Sequence, residues 1–220
     1  MTGFPGNVRG WVLDEVALLL GRVRAELPSS FDHVPDGWPG AAELALIDAV
    51  LSIQARYGAS ADKGVRGAIA RYKKAFPDRA PWDDLQALAA VDAQSLAEVL
   101  GNRQSTGGVL KAAAIVDAAG RLAAAGAVHA VDVDECRHKS AYVGTKGLGP
   151  VTWSYFLMLL GHDGVKADTL VTRFVTQAVG RDVSAEQVGD LVTDAAKELG
   201  VPATVLDHAI WRHMSAPRKD

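Results

Sequence analysis

The chain contains a single cysteine, Cys136, and this scarcity excludes several kinds of site. One thiol cannot form an internal disulfide, and it cannot supply an iron–sulfur cluster or a zinc site built on several thiolates. The chain also lacks an apolar run of 18 residues, and its first residues lack a basic region followed by an apolar one, so neither a membrane span nor a secretory signal is expected. With 49% hydrophobic and 22% charged residues, the 220-residue chain is expected to be a globular cytoplasmic protein.

An excess of positive charge is missing too, since the formal net charge is −3. Such a chain is not expected to bind polyanions indiscriminately. Its charges are nevertheless segregated, because residues 56–79 hold seven Lys or Arg against two Asp, and residues 137–173 hold five against two. Four acidic residues recur at every fourth position along 186–198 and share one helix face. This distribution hints at a polyanion site on one side of the molecule, although charge runs also occur as plain solvated surface.

An alternating β pattern is absent, and apolar residues spaced by three and four dominate the chain. This spacing predicts an all-α fold of ten or eleven helices joined by short turns. The first two helices are marked by the apolar series from Val12 to Leu27 and from Leu44 to Leu51. The later helices are predicted at residues 60–75, 83–90, 94–100, 105–125, 132–142, 151–161, 169–180, 184–199 and 202–214.

Several of these helices have start signals in the sequence. The signals are Asp83 or Asp92 in a first turn, Ser105 before a long Ala-rich run, Ser184 with Gln187 as a capping box, and Pro202 at a first helical position. Residues 28–40, rich in Pro and Gly, form the long connection of the chain. They are the best candidate for a passage between two subdomains.

The segment GTKGLGPVTW places two glycines, Gly147 and Gly149, immediately before an apolar helix. Without side chains at these positions a ligand can approach the backbone N–H groups closely, and the first turn of the helix adds unpaired donors and a partial positive charge. This combination suits an oxyanion, most simply a phosphate. Because residues 133–143 also have helical spacing, the predicted unit is helix, glycine hairpin, helix. A tight αα turn that needs two glycines is the alternative.

About twenty residues later, Asp168 precedes an amphipathic helix in the segment GVKADTLVTRFV. As structure alone, Asp168 is a helix N-cap. The hairpin GLGPVTWSYFLMLLG followed by KADTLVTRFV resembles the helix–hairpin–helix and Gly/Pro…Asp signature of the base-excision DNA glycosylases of the endonuclease III, MutY, 8-oxoguanine glycosylase and AlkA-like superfamily. Upstream, LIDAVLSIQARYGASADKGV and LGNRQSTGGVLKAAAIVDAAGRL resemble further segments of that family. Order and spacing agree over about residues 41–180.

The resemblance implies a fold of two helical subdomains with a cleft between them. Residues 41–161 would form the central subdomain, with the helix–hairpin–helix at about 132–161. Residues 1–40 and 162–220 would together form the second. The implied partner is double-stranded DNA with a damaged or mispaired base, bound by a monomer in the cytoplasm with the nucleoid, and no organic cofactor is expected.

The resemblance also implies a role for each matching residue. Asp168 matches the essential carboxylate, which stabilises the positive charge that builds on the sugar and orients or deprotonates the attacking water. Gln54 matches a glutamine that contacts DNA around the position vacated by the extruded base. The hairpin would bind a phosphate through Lys146, Gly147, Gly149, Val151 and Thr152, with the backbone N–H groups from Gly147 through Val151 as donors. Family hairpins often bind a monovalent cation through backbone carbonyls, which here would be those of Val143, Thr145 and Leu148.

Three departures from the family pattern are informative. Bifunctional members carry a lysine nucleophile four residues after the first hairpin glycine, and that position is Val151 here. A valine cannot form an imine, so the resemblance implies a monofunctional glycosylase, unless Lys146 or Lys166 substitutes. Lys166-Ala167 stands where members commonly have an apolar pair, so the family pattern does not define the edge of the pocket in this chain. The segment ATVLDHAIWRHM replaces the four-cysteine loop of some branches, so no cluster is expected.

The base pocket is not identified by the sequence, although aromatic side chains that stack on a base are the usual device. The candidates are Trp11, Trp38, Tyr57, Trp153, Tyr155 and Trp211, of which Tyr57, Trp153 and Trp211 are preferred. Ordinary core packing is the alternative for each of them. His138, His162 and His208 have no assigned place.

Two other functions compete with the monofunctional DNA glycosylase. A non-catalytic module could use the same fold to bind distorted or abasic DNA, and it would tolerate loss of Asp168. Retention of both Asp168 and Gln54 favours the enzyme, since a pure binder has little need of a carboxylate facing DNA. A helical interaction protein is disfavoured because three separate segments agree in order.

Overall fold

The computed structural model describes residues 8–31, 36–55 and 64–216, the first six of them by their backbone alone. Within these ranges the chain forms eleven α-helices, which confirms the predicted all-α class. The helices are α1 Val8–Glu26, α2 Ala42–Leu51, α3 Gly64–Ala75, α4 Leu85–Ala89, α5 Ala93–Leu100, α6 Lys111–Ala124, α7 Lys139–Val143, α8 Pro150–Leu159, α9 Thr169–Val179, α10 Ala185–Leu199 and α11 Ala203–Ser215. Short 3₁₀ turns lie at Pro77–Arg79 and Ala130–Asp132, and a β-hairpin pairs β1 Ser105–Thr106 with β2 Val109–Leu110. In these ranges no helix combines the length and apolarity that crossing a bilayer requires.

The chain divides into two compact units. The central unit is Asp36–His162, and the terminal unit combines Met1–Pro35 with Asp163–Asp220. Each has its own apolar core. The central core includes Ile47, Leu96, Ile115, Trp153 and Phe156, and the terminal core includes Leu19, Phe174, Val192, Leu206 and Ile210.

Helix α2 is the centre of the first core, and all ten of its residues are buried. Two of them are acidic, Glu43 and Asp48, and Asp48 accepts a hydrogen bond from the Trp38 indole N–H at 2.9 Å. Glu43 is fully buried, accepts hydrogen bonds from the Tyr72 hydroxyl and the Asp84 N–H, and lies 3.4 Å from Arg79. Burial raises the pKa of the Glu43 carboxyl, and its hydrogen-bond donors act in the opposite direction. A buried carboxylate is tolerated here because it is paired and hydrogen-bonded.

Two of the predicted helix starts are confirmed, whereas Ser105 lies in β1 and Pro202 is the N-cap of α11 rather than its first helical residue. Asp92 caps α5, and Ser184 forms a capping box with Gln187 at α10. Asp84, rather than Asp83, caps α4. The Asp83 Oδ1 atom instead accepts hydrogen bonds from two distant backbone N–H groups, those of Ala42 and Ala130, at 2.9 and 2.8 Å.

Two helix predictions for the segments that precede Gly147 are wrong. The helix predicted at 105–125 begins only at Lys111, because residues 105–110 form the β-hairpin. Gly107 and Gly108 both have positive φ, +55° and +80°, which is the requirement of a two-residue type I′ turn. The helix predicted at 132–142 is reduced to the short α7. Asp134 Oδ1 accepts from the Cys136 and Arg137 N–H groups, and this local turn competes with helix formation.

Candidate functional site

Of the three glycines in the glycine loop, defined as residues 144–149, Gly147 and Gly149 have different surroundings. Gly147 has φ +88°, and a Cβ there would lie 2.6 Å from the carbonyl oxygen of Thr106. The Thr106 hydroxyl donates to the Gly147 carbonyl at 2.7 Å, so the β-hairpin and the glycine loop are packed backbone to backbone. A Cβ at Gly149 would meet no atom within 4 Å. Gly147 is therefore required by its positive φ and by the close packing against Thr106, whereas Gly149 leaves open space above the backbone.

The donors at the start of α8 are fewer than the sequence suggests. The Leu148 N–H donates to Thr145 O at 3.1 Å, and the Gly149 N–H donates to Thr152 Oγ1 at 3.0 Å. The Thr152 hydroxyl donates in turn to Gly149 O, so this side chain caps its own helix. The first intrahelical bond runs from Trp153 N–H to Gly149 O, so the N–H groups of Val151 and Thr152 precede it.

Lys146 precedes these donors in the chain, and Val151 supplies one of them. Lys146 is exposed and Val151 is half-buried. The site thus combines two helix N-terminal N–H groups, open space above the backbone at Gly149 and an exposed ammonium, which together suit a phosphate. Of the three predicted cation ligands, the Thr145 carbonyl already accepts the Leu148 N–H. Within the described ranges no group of three or more His, Cys, Asp or Glu side chains is arranged to hold a metal ion.

Trp153 is a core residue, and its predicted place in a base pocket is wrong. Its side chain is 1% exposed and lies among other rings, with centroids 5.2 Å from Tyr142 and 5.7 Å from Phe156. These rings anchor α8 and thereby hold the glycine loop in place. Tyr57 lies outside the described residues. Trp211 is partly exposed on α11 and stacks on His208 with centroids 5.9 Å apart.

Gln54 is exposed in the turn after α2 and has φ +51°, a left-handed conformation that is unfavourable for a residue with a side chain. A lysine that sequence reasoning missed holds this turn. Lys111 is 2% exposed, and its Nζ donates to Leu51 O at 3.0 Å, Ile53 O at 2.6 Å and Gln104 Oε1 at 2.9 Å. All three donors of the ammonium are thus matched by acceptors, as a buried charge requires. Burial lowers the pKa of Lys111.

Asp168 caps α9 in the terminal unit. Its Oδ1 atom accepts from the N–H groups of Leu170 at 2.8 Å and Val171 at 3.1 Å, and the residue is partly exposed. The helix begins directly after it and presents an apolar face through Val171, Phe174 and Val175. The carboxylate is therefore both a structural cap and an accessible anion held by rigid backbone.

A second carboxyl group in the same unit was missed by sequence reasoning. Asp207, on α11, is 6% exposed, and its Oδ1 atom accepts from the Lys166 N–H at 3.0 Å. The pKa of Asp207 is raised to about 8, first by burial and then by the nearby charge of Asp168. The burial of Asp207 could have been inferred from the apolar spacing of α11, since Asp207 lies four residues after Ala203 and three before Ile210, both buried.

A cavity of about 310 Å³ opens in the terminal unit beside the end of α1 and one face of α11. Phe31 and His208 contribute planar rings to it, and Arg212 and Glu26 contribute charged groups. Burial lowers the pKa of His208, with the nearby Arg212 as a second cause, so its imidazole is neutral at physiological pH. Neighbouring positions on α11 thus contribute the buried Asp207 and the cavity-lining His208.

Comparison with known proteins places this geometry in a fold and a family. A solved structure of a trapped endonuclease III–DNA covalent intermediate, an estranged-adenine complex, is similar with a TM-score of 0.52 and 17% identity, over 92% of this chain and 84% of that chain. The likeness shows that the fold resembles that of endonuclease III. A search of curated proteins found no match. A family model matches residues 18–215, nearly the whole chain, and the protein therefore belongs to the family described as domain of unknown function DUF8548.

Proposed function

We propose that this protein is a monofunctional DNA glycosylase that hydrolyses the N-glycosidic bond of a damaged or mispaired base. The observation that carries the proposal is Asp168, a partly exposed carboxylate fixed by two backbone N–H groups at the start of α9. It occurs in a chain whose fold resembles endonuclease III, a protein known in a covalent complex with DNA. A rigid anion of this kind suits a reaction that develops positive charge on a sugar.

In this proposal each of these residues has a separate role. Asp168 stabilises the cationic sugar in the transition state and orients the attacking water. The N–H groups of Val151 and Thr152, together with Lys146, bind a DNA phosphate. Gln54, held in its turn by Lys111, contacts the space that the extruded base leaves.

The cavity on α11 is the proposed place for the extruded base. Its volume of about 310 Å³ lies at the lower end of the range of small-molecule sites, about 300–1,000 Å³. Phe31 and His208 provide flat surfaces on which a base can stack. This assignment takes the place of Trp153, which is buried in the other unit.

Asp168→Asn tests the proposal. Duplexes carrying single alkylated, oxidised or deaminated bases are incubated with the protein, and abasic sites are counted. Wild type is expected to release one class of base, and Asp168→Asn to lose at least about 100-fold in rate while it binds the same DNA, since asparagine keeps a capping oxygen but carries no charge. Because Val151 stands at the position of the lyase lysine, borohydride is expected to trap no covalent adduct in these reactions.

Asp163→Asn is the matched control, because Asp163 also caps a helix, accepting from the Ala203 and Thr204 N–H groups at 3.1 and 2.9 Å. This variant should retain base release. Tight DNA binding without base release, unaffected by Asp168→Asn, would show instead a non-catalytic binder of distorted or abasic DNA. A trapped adduct would show that Lys146 or Lys166 acts as a nucleophile.

A further inference from the structure

Asp207 is tied to Asp168 through the backbone of one residue. The Lys166 N–H donates to Asp207 Oδ1 at 3.0 Å, and the Lys166 carbonyl accepts from the Asp168 N–H at 2.6 Å. A shift of the Asp207 carboxyl is therefore transmitted to the residue that presents Asp168. Since interiors are close-packed and Asp207 is 6% exposed, the linkage is rigid rather than adaptable.

The surroundings of Asp207 favour an uncharged carboxyl. Among the described residues, the charged groups that act on it are Asp168, at the start of α9, and Lys166 in the preceding segment. Helix α10 also packs against α11, and its buried residues are all apolar. Burial and the Asp168 charge outweigh the opposing effects of Lys166, so the pKa of Asp207 rises to about 8 and the group holds its proton at pH 7.

We propose that Asp207 is a positioning residue for Asp168. As a neutral acid it accepts the hydrogen bond from the Lys166 N–H and thereby fixes the Lys166 backbone, and Asp168 is then the single ionised carboxylate of the pair. This inference rests on the proposed glycosylase function. The division of roles has a chemical reason, because burial disfavours a charge on Asp207 and the nearby negative charge of Asp168 disfavours it further. Above about pH 8 the second charge would push Asp168 from the position in which the backbone holds it.

The first test compares the pH dependence of base release in wild type, Asp207→Asn and Asp207→Ala. Asparagine copies the neutral acid, so it should keep activity within about threefold at pH 7 and lose the alkaline fall that wild type shows above about pH 8. Alanine removes the acceptor for Lys166 and should lower kcat at every pH by about tenfold or more, with KM little changed, since misplacement by ~1 Å can cost ~100-fold. An alkaline limb retained in Asp207→Asn, or equal damage by both variants, would overturn the inference.

The second test measures thermal unfolding against pH and needs no activity. A carboxyl whose pKa is raised in the folded state binds its proton more tightly there than in the unfolded chain. Stability therefore falls as the pH rises from the unfolded value near 3.8, where the unfolded chain loses this proton, towards about 8. Wild type should therefore lose Tm between pH 5 and 8 relative to Asp207→Asn. Parallel Tm curves, or an Asp207→Asn protein that fails to fold, would refute the uncharged state. If wild type released no base at any pH, the proposed function would fail while this measurement still decided the charge of Asp207.

Discussion

At the scale of single residues, a substitution of Gln54 is expected to lower activity without lowering stability. The left-handed backbone of Gln54, φ +51°, is unfavourable for most residues other than glycine and asparagine, yet the exposed side chain makes no compensating contribution to a core. Gln54→Gly should therefore leave the free energy of unfolding unchanged or raise it by up to about 1 kcal/mol. In the proposed mechanism the same change should slow base release, because it removes the amide proposed to contact the vacated DNA position. Urea unfolding and single-turnover kinetics measure the two effects.

Gln54→Asn provides the comparison. Asparagine tolerates the left-handed region and keeps an amide one carbon shorter, so its activity should lie between those of wild type and Gln54→Gly. Full activity in the glycine variant would remove Gln54 from the proposed mechanism. A large loss of stability in that variant would show that the side chain supports the fold instead.

The two charged residues that sequence reasoning missed, Asp207 and Lys111, show what a pattern can and cannot reveal. Each lies at helical spacing from buried residues, Asp207 before Ile210 and Lys111 before Ala114, so the sequence contained the signal that both are buried. Their partners are distant in the chain, since Lys111 binds carbonyls about sixty residues away. Only the tertiary fold brings these groups together, whereas the capping role of Asp168 is local and was predictable.

At the scale of elements, the packing of the β-hairpin on the glycine loop predicts opposite outcomes for two similar changes. Gly147→Ala should destabilise the protein by about 2 kcal/mol or more, because φ is +88° and the new methyl group would meet Thr106 O at 2.6 Å. Gly149→Ala should leave stability nearly unchanged, because its φ of −153° suits any residue and no atom lies within 4 Å. It should instead weaken DNA binding, since a methyl group would occupy the space in which the proposed phosphate would approach.

Thermal unfolding and fluorescence anisotropy on one labelled duplex separate these effects. The interpretation of Gly149 would be contradicted if Gly149→Ala bound DNA as tightly as wild type. That of Gly147 would be contradicted if Gly147→Ala melted at the wild-type temperature. Thr106→Val, which removes the hydroxyl that binds Gly147 O, should show a smaller loss of stability than Gly147→Ala.

Elements with strong caps and long apolar periods were predicted within a residue or two, as α8, α9 and α10 illustrate. The errors lie where short polar or glycine-rich segments replace a helical turn. Gly107-Gly108 between Thr106 and Val109 carries a hairpin signal, but its strands are two residues long, too short for an alternating pattern. The turn at Asp134 is likewise set by side-chain hydrogen bonds that helical periodicity does not register.

At the scale of the whole molecule, a net charge of −3 requires that binding to a polyanion be local. Acidic groups are concentrated on α10, where Lys197 pairs with Asp194 at 2.9 Å. The glycine loop of the central unit instead presents the exposed Lys146 beside the N-terminus of α8. Binding through a few phosphates should therefore be strongly salt-dependent without high affinity for every anionic surface.

Lys146→Gln tests this local binding. The logarithm of the association constant should fall linearly with the logarithm of the salt concentration, with a slope of about −0.9 for each phosphate that is bound. Removal of one phosphate-binding ammonium should make that slope shallower by about 1 and weaken binding to all sequences alike. Lys197→Gln is the matched control, because its ammonium is exposed but already paired with Asp194, and its slope should equal that of wild type. Equal slopes for wild type and Lys146→Gln would exclude the glycine loop as a phosphate site, whereas a reduced slope in both variants would indicate that the protein binds DNA through its overall charge.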